Sequence, residues 1–292
     1  MKEASRTAVL VCQARAVADD RLAIGRFSDP VAVHLLRDAE RVAVDRARSG
    51  TIPDSWPEKL EAAVLDATTT AMVSRTVVVD DAVRAKANPQ LVILGAGLDA
   101  RAYRLQELAG VDVYEVDQPA SQQEKLDRIN GKRPIAKSLN YVAVDFARNS
   151  LGPALASAGH DITTPTTWIW EGVLLYLTEN DVHATLGVID ERSTPGSRLI
   201  VHYSTPSRLG AIRARARRVI SRLIGARDPW VNEPRVSFWR PEAMRNLLAA
   251  HNFAVTDDQD LPSAARQLGI PARDARQVRL DHVAIADKLS TR

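Results

Sequence analysis

At 292 residues, with 45% hydrophobic and 26% charged positions, the chain has the composition of a folded protein with a real core, which excludes a disordered or fibrous chain. Thirty-nine basic against 36 acidic residues leave a formal charge of only +3, so bulk charge selects no nucleic-acid or membrane partner. The single cysteine, Cys12, excludes an internal disulfide and a cysteine-based metal cluster and fits a reducing compartment, so no metal site is expected.

The chain opens with Lys2, Glu3 and Arg6, and its apolar run from Ala8 to Cys12 is too short for a signal-peptide core. No later run approaches the roughly 20 apolar residues of a membrane span, which makes the cytoplasm the expected address. Asp29 and Pro30 open a helix that Gly50 closes, because Asp accepts from free N-terminal amides and Pro has none to lose. Ser55, Pro57 and Glu58 repeat that signal as a capping box and open a second helix towards Arg75. From Pro89 the pattern becomes short apolar runs separated by helical stretches: Leu91 to Leu94, Val111 to Val116, Tyr141 to Val144, Trp168 to Trp170, and Arg198 to Tyr203. Runs without strict alternation predict strands buried on both faces, hence a parallel α/β sheet. Thr178 and Asp181 start a helix that stops before Pro195 and Gly196. Past Ser204 comes an arginine-rich helical insertion, then two strands, Phe253 to Thr256 and Val278 to Ile285. With Pro262 and Pro271 and no helix-length periodic stretch between them, these two pair antiparallel at the sheet edge.

The segment Leu91 to Asp99 is an apolar strand running into Gly95-Ala96-Gly97, where glycines let the backbone bend sharply and a ligand approach it. Twenty residues past Gly97 stands Asp117, at the end of the next strand, placed to accept from the ribose hydroxyls of an adenosine cofactor. Gly95, Gly97 and Ala100 also satisfy the form used for nicotinamide dinucleotides. Asp99 separates the two: a pyrophosphate would face its carboxylate in a poorly screened site, whereas S-adenosylmethionine brings an ammonium and no phosphate. After the third strand, Asp145 can accept from an adenine amino group and Phe146 can stack on the base. After the fourth, Trp170 to Leu177 places Glu171 and Gly172 where α/β proteins bind ligands.

Six blocks in order resemble the leucine carboxyl methyltransferase family, including actinobacterial members that methylate polyketide carboxyl groups. They are Ser5 to Ala8 with Arg15-Ala16, Phe27 to Pro30, Arg75-Thr76, Leu94 to Asp99, Tyr114 to Pro119, and Glu171 to Leu177, within a resemblance running from about Ser5 to Tyr203. The resemblance implies a class I methyltransferase: a Rossmann-like, mostly parallel sheet flanked by helices, in one domain. Residues 1–87 would be a helical cap, 88–203 the cofactor-binding core, 204–250 a lid insertion over the substrate and 251–292 the terminal strands. By position, Arg75 and Arg15 would hold the cofactor carboxylate, Gly95 would approach the methionine portion with Gly97 and Asp99 beside it, and Glu171 would take the ammonium. Asp117 would take the ribose, Asp145 and Phe146 the adenine, and Tyr176 would lie near the transferred methyl.

A carboxylate acceptor arrives ionised, with a reference pKa near 4, and needs no general base. A hydroxyl acceptor, phenolic, polyketide or sugar, needs one, and His202 at the end of the fifth strand is the candidate. The insertion carries Arg208, Arg213, Arg215, Arg217, Arg218, Arg222 and Arg227 with apolar residues at helical spacing. It reads as a basic amphipathic helix that serves as a lid, attracts an acidic acceptor or carrier, or contacts a membrane surface or nucleic acid. Trp230, Phe238 and Trp239 line an aromatic pocket or the core of that lid. The expected partner is a small molecule, acidic or aromatic, rather than nucleic acid. A nicotinamide oxidoreductase and a non-catalytic cofactor-binding protein remain as alternatives.

Overall fold

The computed structural model describes residues 5–144, 151–206, 236–270 and 281–290. Helix α1, Arg6–Ala18, starts where Ser5 Oγ accepts from Ala8 N. The helix expected from Asp29 to Gly50 is instead broken. Asp29 Oδ1 does accept from Ala32 N at 3.0 Å, but only a 3-10 turn, Ala32–Leu35, follows before the chain extends at Leu36. Glu40 then accepts from Arg37 N at 2.8 Å and starts α2, Asp38–Ser49, which ends on left-handed Gly50. The chain extends at Leu36, with Leu35 and Leu36 both buried in the core, before α2 begins. Ser55 caps α3, Trp56–Arg84, as expected, but the helix runs nine residues beyond Arg75. The β-branched run Val77 to Val79 stays helical because all three are buried, and burial outweighs propensity. By length and composition α3 is apolar enough to cross a membrane, which counting apolar runs did not show; 72% of its most apolar window is buried inside the fold, as in a core helix.

The sheet is built from β1 (Gln90–Leu94), β2 (Asp112–Asp117), β3 (Ser138–Ala143), β4 (Thr166–Trp170), β5 (Arg198–Ser204), β6 (Phe253–Asp260) and β7 (Asp281–Lys288). Its order is β3-β2-β1-β4-β5-β7-β6. The first five strands pair in parallel, and β7 lies antiparallel between β5 and β6. Both faces are covered. Leu91, Ile93, Val113, Ile169, Ile200, Val283 and Ile285 pack with α1, α3 and α4, Arg101–Arg104. α5, Pro119–Ile129, adds Ile129 to this side. Val92, Leu94, Val116, Trp168, Trp170, Val201 and Tyr203 pack the other way, against α6 (Leu151–Ser157), α7 (Glu179–Glu191) and α8 (Pro241–Ala250). Between the antiparallel strands lies a short helix that the periodicity did not predict, α9, Leu261–Gln267. Pro262 marks its start, not a break, since Asp260 caps Ser263 N at 2.8 Å and Pro needs no partner in the first turn.

Thr178 and Asp181 form the expected capping box at α7, with Thr178 Oγ1 accepting from Asp181 N at 3.2 Å. Thr178→Ala removes that acceptor and is expected to lower the unfolding free energy by about 1 kcal/mol, read as a lower urea midpoint with unchanged slope.

Candidate functional site

The glycine turn is held from both sides. Gly95 N and Ala96 N both donate to Val116 O, at 2.8 and 3.1 Å, so β2 grips the turn after the β1 ladder ends. Gly95 has φ +67°, and a Cβ there would stand 2.2 Å from Val173 Cγ2. Glycine is required at this point because the loop after β4 packs onto it. Gly97, φ +49°, faces Ala8 of α1 and donates its N–H to Asp117 Oδ2 at 2.6 Å; Gln118 N donates to Oδ1 at 2.7 Å. Burial pushes the Asp117 carboxyl above the ordinary 3.8, with these two amides opposing it.

Beneath the turn lies a buried network of charge centred on Arg101. Its Nε donates to Asp80 Oδ1 at 2.8 Å, Nη2 pairs with Glu171 Oε2 at 2.8 Å, and Nη1 pairs with Asp99 Oδ2, while its backbone N donates to Asp99 Oδ1 at 2.7 Å. Arg75 Nε donates to the other Glu171 oxygen at 2.6 Å. Arg104 pairs with Asp80 at 2.7 Å and reaches towards Asp29, at 3.6 Å, which Arg15 approaches at 3.5 Å. Arg15 Nη2 also donates to Leu98 O at 2.6 Å, tying α1 to the turn. Burial alone would raise the Glu171 carboxyl, but Arg101, then Arg75, then His202 hold it well below the ordinary range. Asp99 is likewise lowered against its burial, by Arg101 and Arg15.

Most of the expected residues fall among those described. Arg15, Arg75, Gly95, Gly97, Asp99 and Glu171 converge on one end of the sheet, with Asp117 joined through Gly97. Asp99 faces Arg101 instead of standing open beside the turn. His202 is 3% exposed on β5 and lies on the α1–α3 side near Glu171. Tyr176 is half-buried at the end of a 3-10 turn, Leu174–Tyr176. Trp239 packs against the core on the α7–α8 side, whereas Phe238 is 43% exposed. Asp145, Phe146, Trp230 and the arginines from Arg208 to Arg227 lie outside the described residues. Two central members were missed, Asp80 and Arg101. Each had a signal: Asp80 sits in an apolar helical run, where a charge needs a partner, and Arg101 follows two residues after the acid of the turn.

The residues present fit S-adenosylmethionine. Glu171 offers a carboxylate to an ammonium, and Arg75, having given Nε to Glu171, has Nη1 and Nη2 within about 4 Å of where a Cβ on Gly172 would stand. Asp117 lies at the end of β2 and Glu171 just past β4, on either side of β1, so the two acids are roughly 10 Å apart across the sheet. A pyrophosphate fits poorly, because the Gly97 N–H it would need is given to Asp117.

A parallel sheet with an antiparallel strand inserted beside its last parallel one, and acids flanking the glycine turn, define a class I methyltransferase fold. A solved structure from Thermobifida fusca YX, described as a "putative methyltransferase", shares that fold, with a TM-score of 0.55 over 94% of this chain and 97% of that one at 18% identity. The chain belongs to the leucine carboxyl methyltransferase family, whose model matches residues 8–190. A relative from Mycobacterium sp. (strain JLS), named "Putative S-adenosyl-L-methionine-dependent methyltransferase", is 39% identical over 209 residues, 70% of this chain and 68% of its own length. Another with that description, from Streptomyces coelicolor, is 41% identical over 133 residues, 44% of this chain and 47% of its own.

Arg101→Met would leave three buried carboxylates without their shared cation, and is expected to cost about 3–5 kcal/mol of unfolding free energy. Glu171 and Asp99 are lowered in the folded state, so their stabilisation is full above the ordinary carboxylate range and is lost as pH falls through the lowered values. In Arg101→Met the acid-side loss in thermal unfolding begins at a higher pH than in the wild type.

Proposed function

We propose that this S-adenosylmethionine-dependent methyltransferase places its methyl on a carboxylate of a small-molecule acceptor. Bound S-adenosylmethionine supplies an electrophilic methyl on a sulfonium. The chain's own residues hold and orient: Arg75 takes the cofactor carboxylate with Arg15 behind it, Glu171 the ammonium and Asp117 the ribose hydroxyls. Arg101 keeps Glu171 ionised and in place. Asp145 and Phe146 take the adenine, and Tyr176 flanks the methyl.

The observation that supports a carboxylate over a hydroxyl acceptor is the position of His202. The imidazole expected to serve as base is 3% exposed on β5, on the face that packs against α1 and α3, and lies close to Glu171. An acceptor already ionised needs no proton removed, and catalysis then rests on alignment, for which effective molarities on the order of 10⁵ to 10⁸ M are attainable. The lone cysteine, Cys12, is buried, and we infer a reducing, cytoplasmic setting from the absence of a possible internal disulfide partner in the sequence.

Turnover of S-adenosylmethionine with parallel panels of carboxylic acids and phenols tests this reading. Methyl esters from the acids are expected, and His202→Ala is expected to weaken S-adenosylhomocysteine binding more than it lowers kcat; methylation of phenols alone would overturn the carboxylate assignment.

Asp117→Asn is expected to weaken S-adenosylhomocysteine binding by about 10- to 100-fold, the worth of roughly 1.5–3 kcal/mol for hydrogen bonds to a charged group. Diol donation favours the ionised carboxylate, so wild-type affinity is full above the raised Asp117 pKa and falls as pH drops through it, beginning above 3.8. Calorimetry across that range should show the loss in the wild type and a flatter profile in Asp117→Asn, since Glu171 remains ionised throughout.

A further inference from the structure

Beyond the cofactor's end of the sheet, β5 and β7 carry a second polar cluster, on the opposite face from Arg101. Tyr203 and His282 are direct partners in the β5–β7 register. Their rings stack, with centroids 5.3 Å apart and planes 26° from parallel. Asp258 of β6 binds both: Tyr203 Oη donates to its Oδ2 at 2.7 Å, and His282 Nδ1 lies 3.2 Å from Oδ1. A carboxylate only accepts, so this contact puts a proton on Nδ1 and leaves Nε2 as the nitrogen for a ligand. The ring is fixed by a carboxylate at one edge and an aromatic face at the other, an arrangement that orients an imidazole towards something outside it. The His282 side chain is 17% exposed, so that something can reach it.

The cluster's place in the fold says what it faces. β7 runs antiparallel, so its first residues lie at the same end of the sheet as the last residues of β5 and as Glu171 beyond β4. Ligands of parallel α/β sheets bind outside that end. From β4 to β7 is two strand spacings, about 10 Å. A methyl donor held at Glu171, over β1 and β4, therefore has its acceptor over β5 and β7. The segment 236–239 crosses this region: Val236 N donates to Leu175 O at 2.8 Å, Ser237 Oγ to Leu174 O at 2.8 Å, and Trp239 N to Ser204 O at 2.9 Å. It leaves Val236 and Phe238 exposed, on a segment tied to the loop after β4 at one end and to the end of β5 at the other, apolar surface for the body of an acceptor.

We propose that His282, oriented by Asp258 and Tyr203, is the acceptor's anchor, its Nε2 donating in the imidazolium form to the acceptor carboxylate. This rests on the carboxyl-methyltransfer reading and adds the residue that selects the substrate class. Among the described residues, the charged and titratable groups around the ring are Asp258 and Asp260 of β6, Tyr203 of β5, Asp281 beside it on β7, and Arg245 of α8, whose charge acts on Tyr203.

The test uses the full chain saturated with S-adenosylhomocysteine. His282 imidazole resonances, assigned by their loss in His282→Gln, are followed by NMR as acetate, octanoate and benzoate are added in turn. The expected result is a shift with at least one acid and a higher imidazole pKa in its presence, and neither in Asp258→Ala. Unmoved resonances with all three acids overturn the proposal. In turnover assays His282→Ala should raise the acid's KM at least tenfold with S-adenosylhomocysteine affinity unchanged. His282→Gln, which keeps one donor, should recover part of that loss but not the wild type's rise in KM as pH increases through the imidazole titration. Acids turned over by His282→Ala with wild-type KM would sink the anchor and leave carboxyl transfer standing. Methylation of phenols alone would sink carboxyl transfer, and the NMR titration would still decide the anchor.

Discussion

One guanidinium organises this protein. Arg101 gives a different nitrogen to each of Asp80, Asp99 and Glu171, which come from a long helix, the glycine turn and the loop after β4. None of the three could be buried alone: an ionised carboxylate out of water is tolerated only when paired and hydrogen-bonded. Arg15, Arg75 and Arg104 add three positive charges and Asp29 a fourth acid, so the eight groups balance. The N-terminal helices are thereby more than a cover. They supply half of a charge network whose other half comes from the glycine turn, α4 and the loop after β4.

The turn itself is equally constrained. Its two glycines are read most simply as room for a ligand, yet protein atoms occupy much of that room: Val173 against Gly95 and Ala8 near Gly97. Val173 stands two residues after Glu171, so the contact that forbids a side chain at Gly95 also sets the height of Glu171 above the sheet. Asp117 fixes the other side by accepting the Gly97 amide. Glu171 and Asp117 are thus both positioned through the same five-residue turn.

What could be read from the sequence follows from the range of the forces involved. The five parallel strands were legible because burial on both faces leaves an apolar run, and α7 because its capping box is local. The helix expected from Asp29 is interrupted at Leu36, where the chain extends into the core, and no local signal marks that interruption. The stretch between the last two strands is too short to show helical periodicity, yet Asp260 and Pro262 start a helix there. Arg101 escaped notice because its three partners are 21, 2 and 70 positions away and meet only once the sheet has formed. The pairing of His282 with Asp258 and Tyr203 depends on the register of two antiparallel pairs, which no spacing in the sequence reveals.

The insertion of β7 between β5 and β6 has a consequence for how the molecule is made. The Arg198–Asp287 pair that locks β5 to β7 spans 89 positions, so β5 leaves the ribosome long before the strand that covers it. Until then Leu199, Ile200 and Val201 form an open sheet edge, the kind of surface on which strands of other chains add. Non-local pairings of this sort close slowly, because loop entropy is lost before contacts repay it. Arg198 at the edge's start is the sort of charge that keeps such an edge soluble while it waits, and in the finished sheet the same residue becomes the clasp.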